Sequence, residues 1–219
     1  MGMLRKMKVI FDFDGTLCLL DHRTHHVRNG NNRWKEFFEE CVDDKPNESV
    51  IRTLISHVER GDDVEIWSGR SDAVLQESKE WLDKHIPKIT VNTTKRIVTP
   101  SDLLIHMRPS ADRRPDVVLK KEWLMSAVSD RDWFPDIIYD DRQSVVDMYR
   151  AHGITVAQVA KGDFDNPPER SRYEKGLMKS PPKFIMLIGP SGAGKSHYVG
   201  NSAVNRYHVE VDEIRKCQY

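Results

Sequence analysis

The chain has 219 residues, 38% of them hydrophobic and 8% aromatic, enough for one larger domain or one ordinary domain plus a fragment. Thirty-four basic residues balance thirty-four acidic ones, which argues against the strongly basic surface of a dedicated nucleic-acid-binding domain, so any polynucleotide contact must be local. No apolar run approaches the ~18 residues of a membrane span, no secretory pattern opens the chain, and Cys18, Cys41 and Cys217 lack metal-ligand or redox spacing, so a cytoplasmic protein with reduced thiols and no membrane contact is expected.

In chain order, residues 8–13 form an apolar-rich strand that runs into Asp14-Gly15-Thr16, and helical spacing follows over 47–59. Residues 63–67 read as a second strand running into Ser68-Gly69-Arg70, with a helix expected over 72–85. A helix over 120–128 precedes a third strand, 136–139, which runs into Asp140-Asp141-Arg142; a helix over 144–152 and a fourth strand, 154–159, complete the alternation. Such alternation implies an α/β fold, a parallel sheet with helices on both faces. In open sheets of this class ligands sit beyond the carboxyl ends of the strands. Here three successive strands deliver acids, a hydroxyl or an arginine to that edge. A polar stretch with Pro167-Pro168 and Pro181-Pro182 then separates this unit from a further strand at 184–188. The expected division is residues 1–164, a linker at 165–182, and a second domain beginning at 183–219.

Two aspartates one residue apart at a strand end project to the same side, and the Gly-Thr turn releases them toward the open edge. Paired carboxylates suit metal binding or a division of acid and base roles; a helix cap and turn is the structural alternative. The whole string Asp12-Phe13-Asp14-Gly15-Thr16-Leu17 after an apolar strand is far more specific. It resembles the first motif of the haloacid dehalogenase superfamily, which implies a Rossmann-like sheet. The resemblance implies that Asp12 is a nucleophile forming an aspartyl-phosphate and that Asp14 protonates the leaving group and then activates water. It also implies that Ser68 binds a phosphoryl oxygen, and that Asp140 and Asp141 hold Mg2+ with Asp12 and the backbone carbonyl of Asp14, a hard-oxygen set. The family's lysine opens a helix before the acidic strand. Lys120 and Lys121 both qualify by position, and the resemblance of Asp116-Val-Val-Leu-Lys120 to the spacing in one subgroup of the family implies Lys120.

Residues 108–164 are similar to the phosphatase domain of phage-type polynucleotide kinase/phosphatases, in Asp112-Arg-Arg-Pro-Asp-Val-Val118, Asp140-Asp-Arg-Gln-Ser-Val-Val146, Asp147-Met-Tyr-Arg150 and Gln158-Val-Ala-Lys-Gly-Asp-Phe164. This implies removal of 3′-phosphates from DNA or RNA ends, Arg23 and Arg70 as phosphate ligands, Asp116 as an active-site acid and, if the chain is viral, action in an infected host's cytoplasm. His22, His25 and His26 lack the pairing of a zinc site. Between Thr16 and Asp63, read as a polar loop plus two helices, no large cap is evident, and a small or absent cap leaves the site open, which suits a polynucleotide end. Trp34, Phe37 and Phe38 have the spacing of a helical core face, with stacking on a base as the alternative. Residues 89–101 depart from the family pattern. Competing functions are a phosphatase of small esters such as nucleotides and a non-catalytic module for nucleic-acid ends; the nucleophile argues against the latter.

Gly189-x-x-x-x-Gly194-Lys195-Ser196 after the strand at 184–188 is a phosphate-binding loop, a cofactor site for ATP in a complete kinase domain. Asp212 and Arg215 resemble the acid and arginine of polynucleotide 5′-kinases. The sequence ends at Tyr219, so a truncated P-loop α/β segment without kinase activity is expected.

Overall fold

The computed structural model describes residues 5–28 and 33–160. Its first strand, β1 (Lys8–Phe11), alternates between two apolar layers. Val9, Phe11 and then Phe13 enter one of them and Ile10 the other, as a strand buried on both faces requires. The chain continues through β2 (Cys18–Leu19), α1 (Trp34–Glu39), β3 (Lys45–Pro46), α2 (Glu48–Arg60), β4 (Asp63–Ser71) and α3 (Leu75–His85). Then come β5 (Ile89–Thr90), β6 (Ile97–Val98), β7 (Leu104–Arg108), α4 (Asp116–Arg131), β8 (Ile137–Asp140), α5 (Gln143–Ala151) and β9 (Thr155–Gln158).

Five strands form one parallel sheet in the order β7-β4-β1-β8-β9. The chain builds outward from β1 to β7 and then returns to β8 beside β1. Strand order therefore reverses at β1, and the crevice beyond its carboxyl end is where ligands bind in such sheets. On one face, α2 and α3 bury Leu54, Val58, Trp81 and Leu82 with Val9, Phe11 and Phe13. On the other, α4 and α5 bury Leu124, Ala127, Val145 and Tyr149 with Ile10, Trp67 and Ile138. Full burial of each large apolar side chain contributes roughly 1.5–3 kcal/mol.

The Rossmann-like α/β architecture agrees with the expectation, and the insertion after β1 is small: the antiparallel β2–β3 ribbon and the six-residue α1. Three boundaries are corrected. Strand β7 was not foreseen, because it is an edge strand, half exposed and without clean alternation. Helix α4 begins at Asp116, not at Lys120, since Pro115 precedes it and an acid in the first turn suits the helix dipole. Residues 89–101 form a hairpin of β5 and β6 followed by a turn, with Ile89, Val91 and Val98 in the core. Among the described residues no helix is long and apolar enough to cross a membrane. The divisions at 165–182 and 183–219, with Gly189, Gly194, Lys195, Ser196, Asp212 and Arg215, lie outside the described residues.

A buried acid ties the sheet to the end of α4. Glu65 on β4 accepts from Trp67 Nε1 at 2.8 Å and Arg131 Nη1 at 2.6 Å, and lies 3.2 Å from His106 Nε2. Burial pushes its carboxyl up, but His106, Arg131 and Trp67 outweigh that and hold the pKa at about 2, against an ordinary 4.5. A depressed acid contributes stability that is present above the unfolded pKa and lost as pH falls through the folded one. The stability gap between wild type and Glu65→Gln, measured by urea denaturation, is therefore expected to shrink as pH drops from about 4.5 toward 2. A gap that stays constant across that window would contradict the ion pairing.

Candidate active site

Asp12 follows β1 directly and still pairs with the sheet, its N–H donating to the Tyr139 carbonyl at 2.9 Å. Alternation puts its side chain on the α4 side. There Lys120 Nζ donates to Asp12 Oδ1 at 2.6 Å and to Asp140 Oδ2 at 2.8 Å. All three are buried. Because α4 starts at Asp116, Lys120 lies one turn inside the helix, on the face it shares with Asp116. Asp140 ends β8, and its Oδ1 accepts from the Arg142 N–H at 3.0 Å. Burial pushes the Lys120 ammonium down, yet Asp12 and Asp140 outweigh it and raise its proton affinity. Burial pushes the Asp12 carboxyl up, and Asp140 and Asp141 add to the rise against Lys120. Asp141 is pushed up to about 7, by burial first and by the charge of Asp140 next. The cluster holds more negative charge than Lys120 balances.

Asp14 borders the same crevice but has other partners. Its Oδ1 accepts from Arg23 Nη2 at 2.6 Å and Arg70 Nε at 2.7 Å. Both guanidiniums also reach Asp44: Arg23 Nε at 2.7 Å, Arg23 Nη2 at 2.6 Å and Arg70 Nη2 at 2.5 Å. Each lies over an aromatic ring, Arg23 4.2 Å from the centre of Phe37 and Arg70 4.0 Å from that of Phe13. Two buried cations thus face one buried carboxylate, Asp44, and one half-buried one, Asp14, an arrangement in which mutual attraction offsets desolvation. Burial pushes the Asp14 carboxyl up, but Arg23 and Arg70 outweigh it and hold it well below the usual carboxylate range. Asp14, Cys18 and Asp44 also approach one another within 4.8 Å, but the two guanidiniums already supply the positive charge there, and burial keeps the Cys18 thiol protonated.

Two glycines permit these approaches. Gly15 has φ +83°, and a Cβ there would collide with the Asp141 carboxylate. A Cβ on Gly69 would lie 2.7 Å from both carboxylate oxygens of Asp116. Asp116 in turn pairs with Arg108 and with Arg142 Nη1, the latter at 3.1 Å.

A cavity of about 250 Å³ opens onto Asp12, Asp14, Asp116, Lys120 and Asp141. It is also lined by the aromatic residues Trp34, Phe37 and Phe38 and by Arg108, Arg113, Arg114 and Arg142. The structure brings the expected Asp12, Lys120, Asp140 and Asp141 together. Ser68, on β4, is fully buried, accepts from the Arg70 N–H at 3.1 Å and is not among the residues lining the cavity. Arg23 and Arg70, expected to face a phosphate, face Asp14 and Asp44 and do not line the cavity. Asp44 escaped sequence reasoning, because nothing in its spacing separates it from Asp43 or Glu40. The signal was electrostatic: two arginines aimed at one aspartate need a second acid. The arginine wall was missed because Arg108, Arg113 and Arg114 converge only once β7 and α4 are in place.

Oxygen donors of Asp12, Asp140 and Asp141 lie within 4.8 Å of one another, and this all-carboxylate set with excess negative charge fits a hard divalent cation.

Residues 6–164 match the family model described as the polynucleotide kinase PNKP phosphatase domain. Two solved structures align with 71% of the chain at 29% identity. One, of a Pnkp1/Rnl/Hen1 complex, gives a TM-score of 0.53 over 46% of its matched chain; the other, of the Pnkp1/Rnl/Hen1 RNA repair complex, gives 0.54 over 43%. The chain thus spans less than half the length of these relatives. With the match running from the residues before β1 to those beyond β9, this chain belongs to the phosphatase-domain family of polynucleotide kinase/phosphatases, built on the haloacid dehalogenase fold.

Proposed function

We propose that the domain is a Mg2+-dependent polynucleotide 3′-phosphatase acting through an aspartyl-phosphate on Asp12. The observation that carries this reading is the bridge of Lys120 Nζ to Asp12 at 2.6 Å and Asp140 at 2.8 Å. It fixes one carboxylate at the switch point of the sheet while Asp14 is held separately by two arginines. In the first step an Asp12 oxygen attacks phosphorus, the bond from phosphorus to the 3′-oxygen breaks, and Asp14 gives that oxygen a proton. In the second, water attacks the same phosphorus, its proton passes to Asp14, and the Asp12–phosphorus bond breaks to free inorganic phosphate. Arg23 and Arg70 keep Asp14 ionised for this second step; an incoming phosphate dianion raises its proton affinity for the first, because like charges oppose each other. Asp12, Asp140 and Asp141, with the Asp14 carbonyl, are the residues that would hold Mg2+, which when bound supplies positive charge against the phosphate.

The family and the arginines lining the cavity support the substrate class, RNA or DNA ends, since phosphate contacts are made by such side chains. A panel of 3′-phosphate, 2′,3′-cyclic phosphate and 5′-phosphate oligonucleotides with a mononucleotide tests it. Preference for the mononucleotide would favour a small-ester phosphatase instead. For residues 183–219 the narrower proposal is phosphate binding at the 189–196 loop, tested by nucleotide binding that is lost in Lys195→Ala.

Asp12→Asn is expected to lower activity on the order of 10^3-fold or more, because an amide is no nucleophile. Asp14→Asn is expected to lose ~10^2 to 10^4. A tenth of wild-type turnover retained by either variant would sink the mechanism. Chelation is expected to abolish activity and Mg2+ to restore it; full turnover after verified metal removal contradicts the role given to Asp140 and Asp141. Asp44→Ala leaves two buried guanidiniums short of one carboxylate, and unfolding in denaturant is expected to show a loss of roughly 3–5 kcal/mol.

A further inference from the structure

Trp34 opens α1 and remains 44% exposed, while Phe37 on the same helical face is 1% exposed. The indole is neither core nor free surface: it forms part of the wall of the cavity that holds Asp12 and Asp14. It is backed by the Phe37 ring edge-on at 5.7 Å and by the Phe38 ring at 6.0 Å with an interplanar angle of 31°. Phe37 anchors this stack to the catalytic machinery, because its carbonyl accepts from Arg23 Nη1 at 3.0 Å and its ring carries the same guanidinium. A six-residue helix is therefore fixed by a buried cation that also holds Asp14. Arg113 lines the same cavity, donates to the Ser110 carbonyl at 2.8 Å and makes no ion pair among the described residues, which leaves its charge for a phosphate.

A large aromatic face exposed in a polar cavity that is also lined by a cation without an ion pair matches what a nucleotide offers: one flat base and one anionic backbone. We propose that Trp34 stacks on the base of the nucleotide that bears the 3′-phosphate, so that the site selects ends carrying a base over ends that lack one. The proposal rests on the polynucleotide 3′-phosphatase reading and adds a specificity-determining residue to it. Stacking needs only a π-face, so discrimination among the four bases is small and discrimination against an abasic end is large, about 10-fold or more in kcat/KM.

The experiment compares two oligonucleotides with a 3′-phosphate, identical except that one ends in a reduced abasic sugar, on wild type, Trp34→Ala and Trp34→Phe, with Mg2+. The expected result is a kcat/KM ratio of about 10 or more in wild type, a ratio near one in Trp34→Ala, and most of the ratio retained in Trp34→Phe. The ratio is read within each variant, so a variant folded in lower yield still reports. A wild-type ratio near one, or an unchanged ratio in Trp34→Ala, overturns the stacking role and leaves the phosphatase reading intact. Failure of wild type to hydrolyse either oligonucleotide while it turns over p-nitrophenyl phosphate overturns the polynucleotide reading and this proposal with it.

Discussion

Lys120 Nζ, buried between Asp12 and Asp140, ties α4 to the carboxyl ends of the paired strands β1 and β8. An ammonium in that position could not be tolerated without the two carboxylates, nor they without it, since removing one partner of a buried pair costs about 3–5 kcal/mol. The height at which α4 docks on the sheet follows from this contact. So does the position of Asp116, one turn earlier on the same face, and of the two arginines that Asp116 draws toward the cavity.

The two aspartates of the motif are separated by one residue and by a difference in charge balance. Around Asp12 the acids outnumber the cation, so the cluster has unmet demand for positive charge. Around Asp14 two guanidiniums and two carboxylates cancel, and the carboxylate is oriented and ionised. The roles proposed for them, nucleophile and proton carrier, rest on this asymmetry and not on the residue type, which is the same in both.

Much of this was legible from residues alone. The buried strand before Asp12 betrays itself by an unbroken apolar run, and Asp140-Asp141 by another, because strands covered on both faces have no reason to alternate. What stayed hidden depends on partners distant in sequence. Asp44 looks like any acid in a polar stretch until Arg23 and Arg70 converge on it. The same convergence explains why both arginines turn inward. Strand β7 is an edge with modest burial and so has a weak pattern, and the start of α4 was masked because its first turn is half exposed. The place of Trp34 on a cavity wall was open in the sequence as one of two alternatives, since spacing fixes a helical face but not what that face meets.

The parallel sheet also has a consequence for how the chain reaches this state. Strand β1 is the centre of the sheet, yet its neighbours β4 and β8 are made long after it, and Lys120 stands 108 residues from the carboxylate it pairs with. During synthesis this central strand emerges before both of its neighbours and waits with both edges bare. Contacts this remote in sequence form slowly, because loop closure precedes the reward. The interval in which β1 is unpartnered is the time when such a chain is open to intermolecular strand pairing, so its yield in a cell depends on whatever shields that strand until β8 arrives.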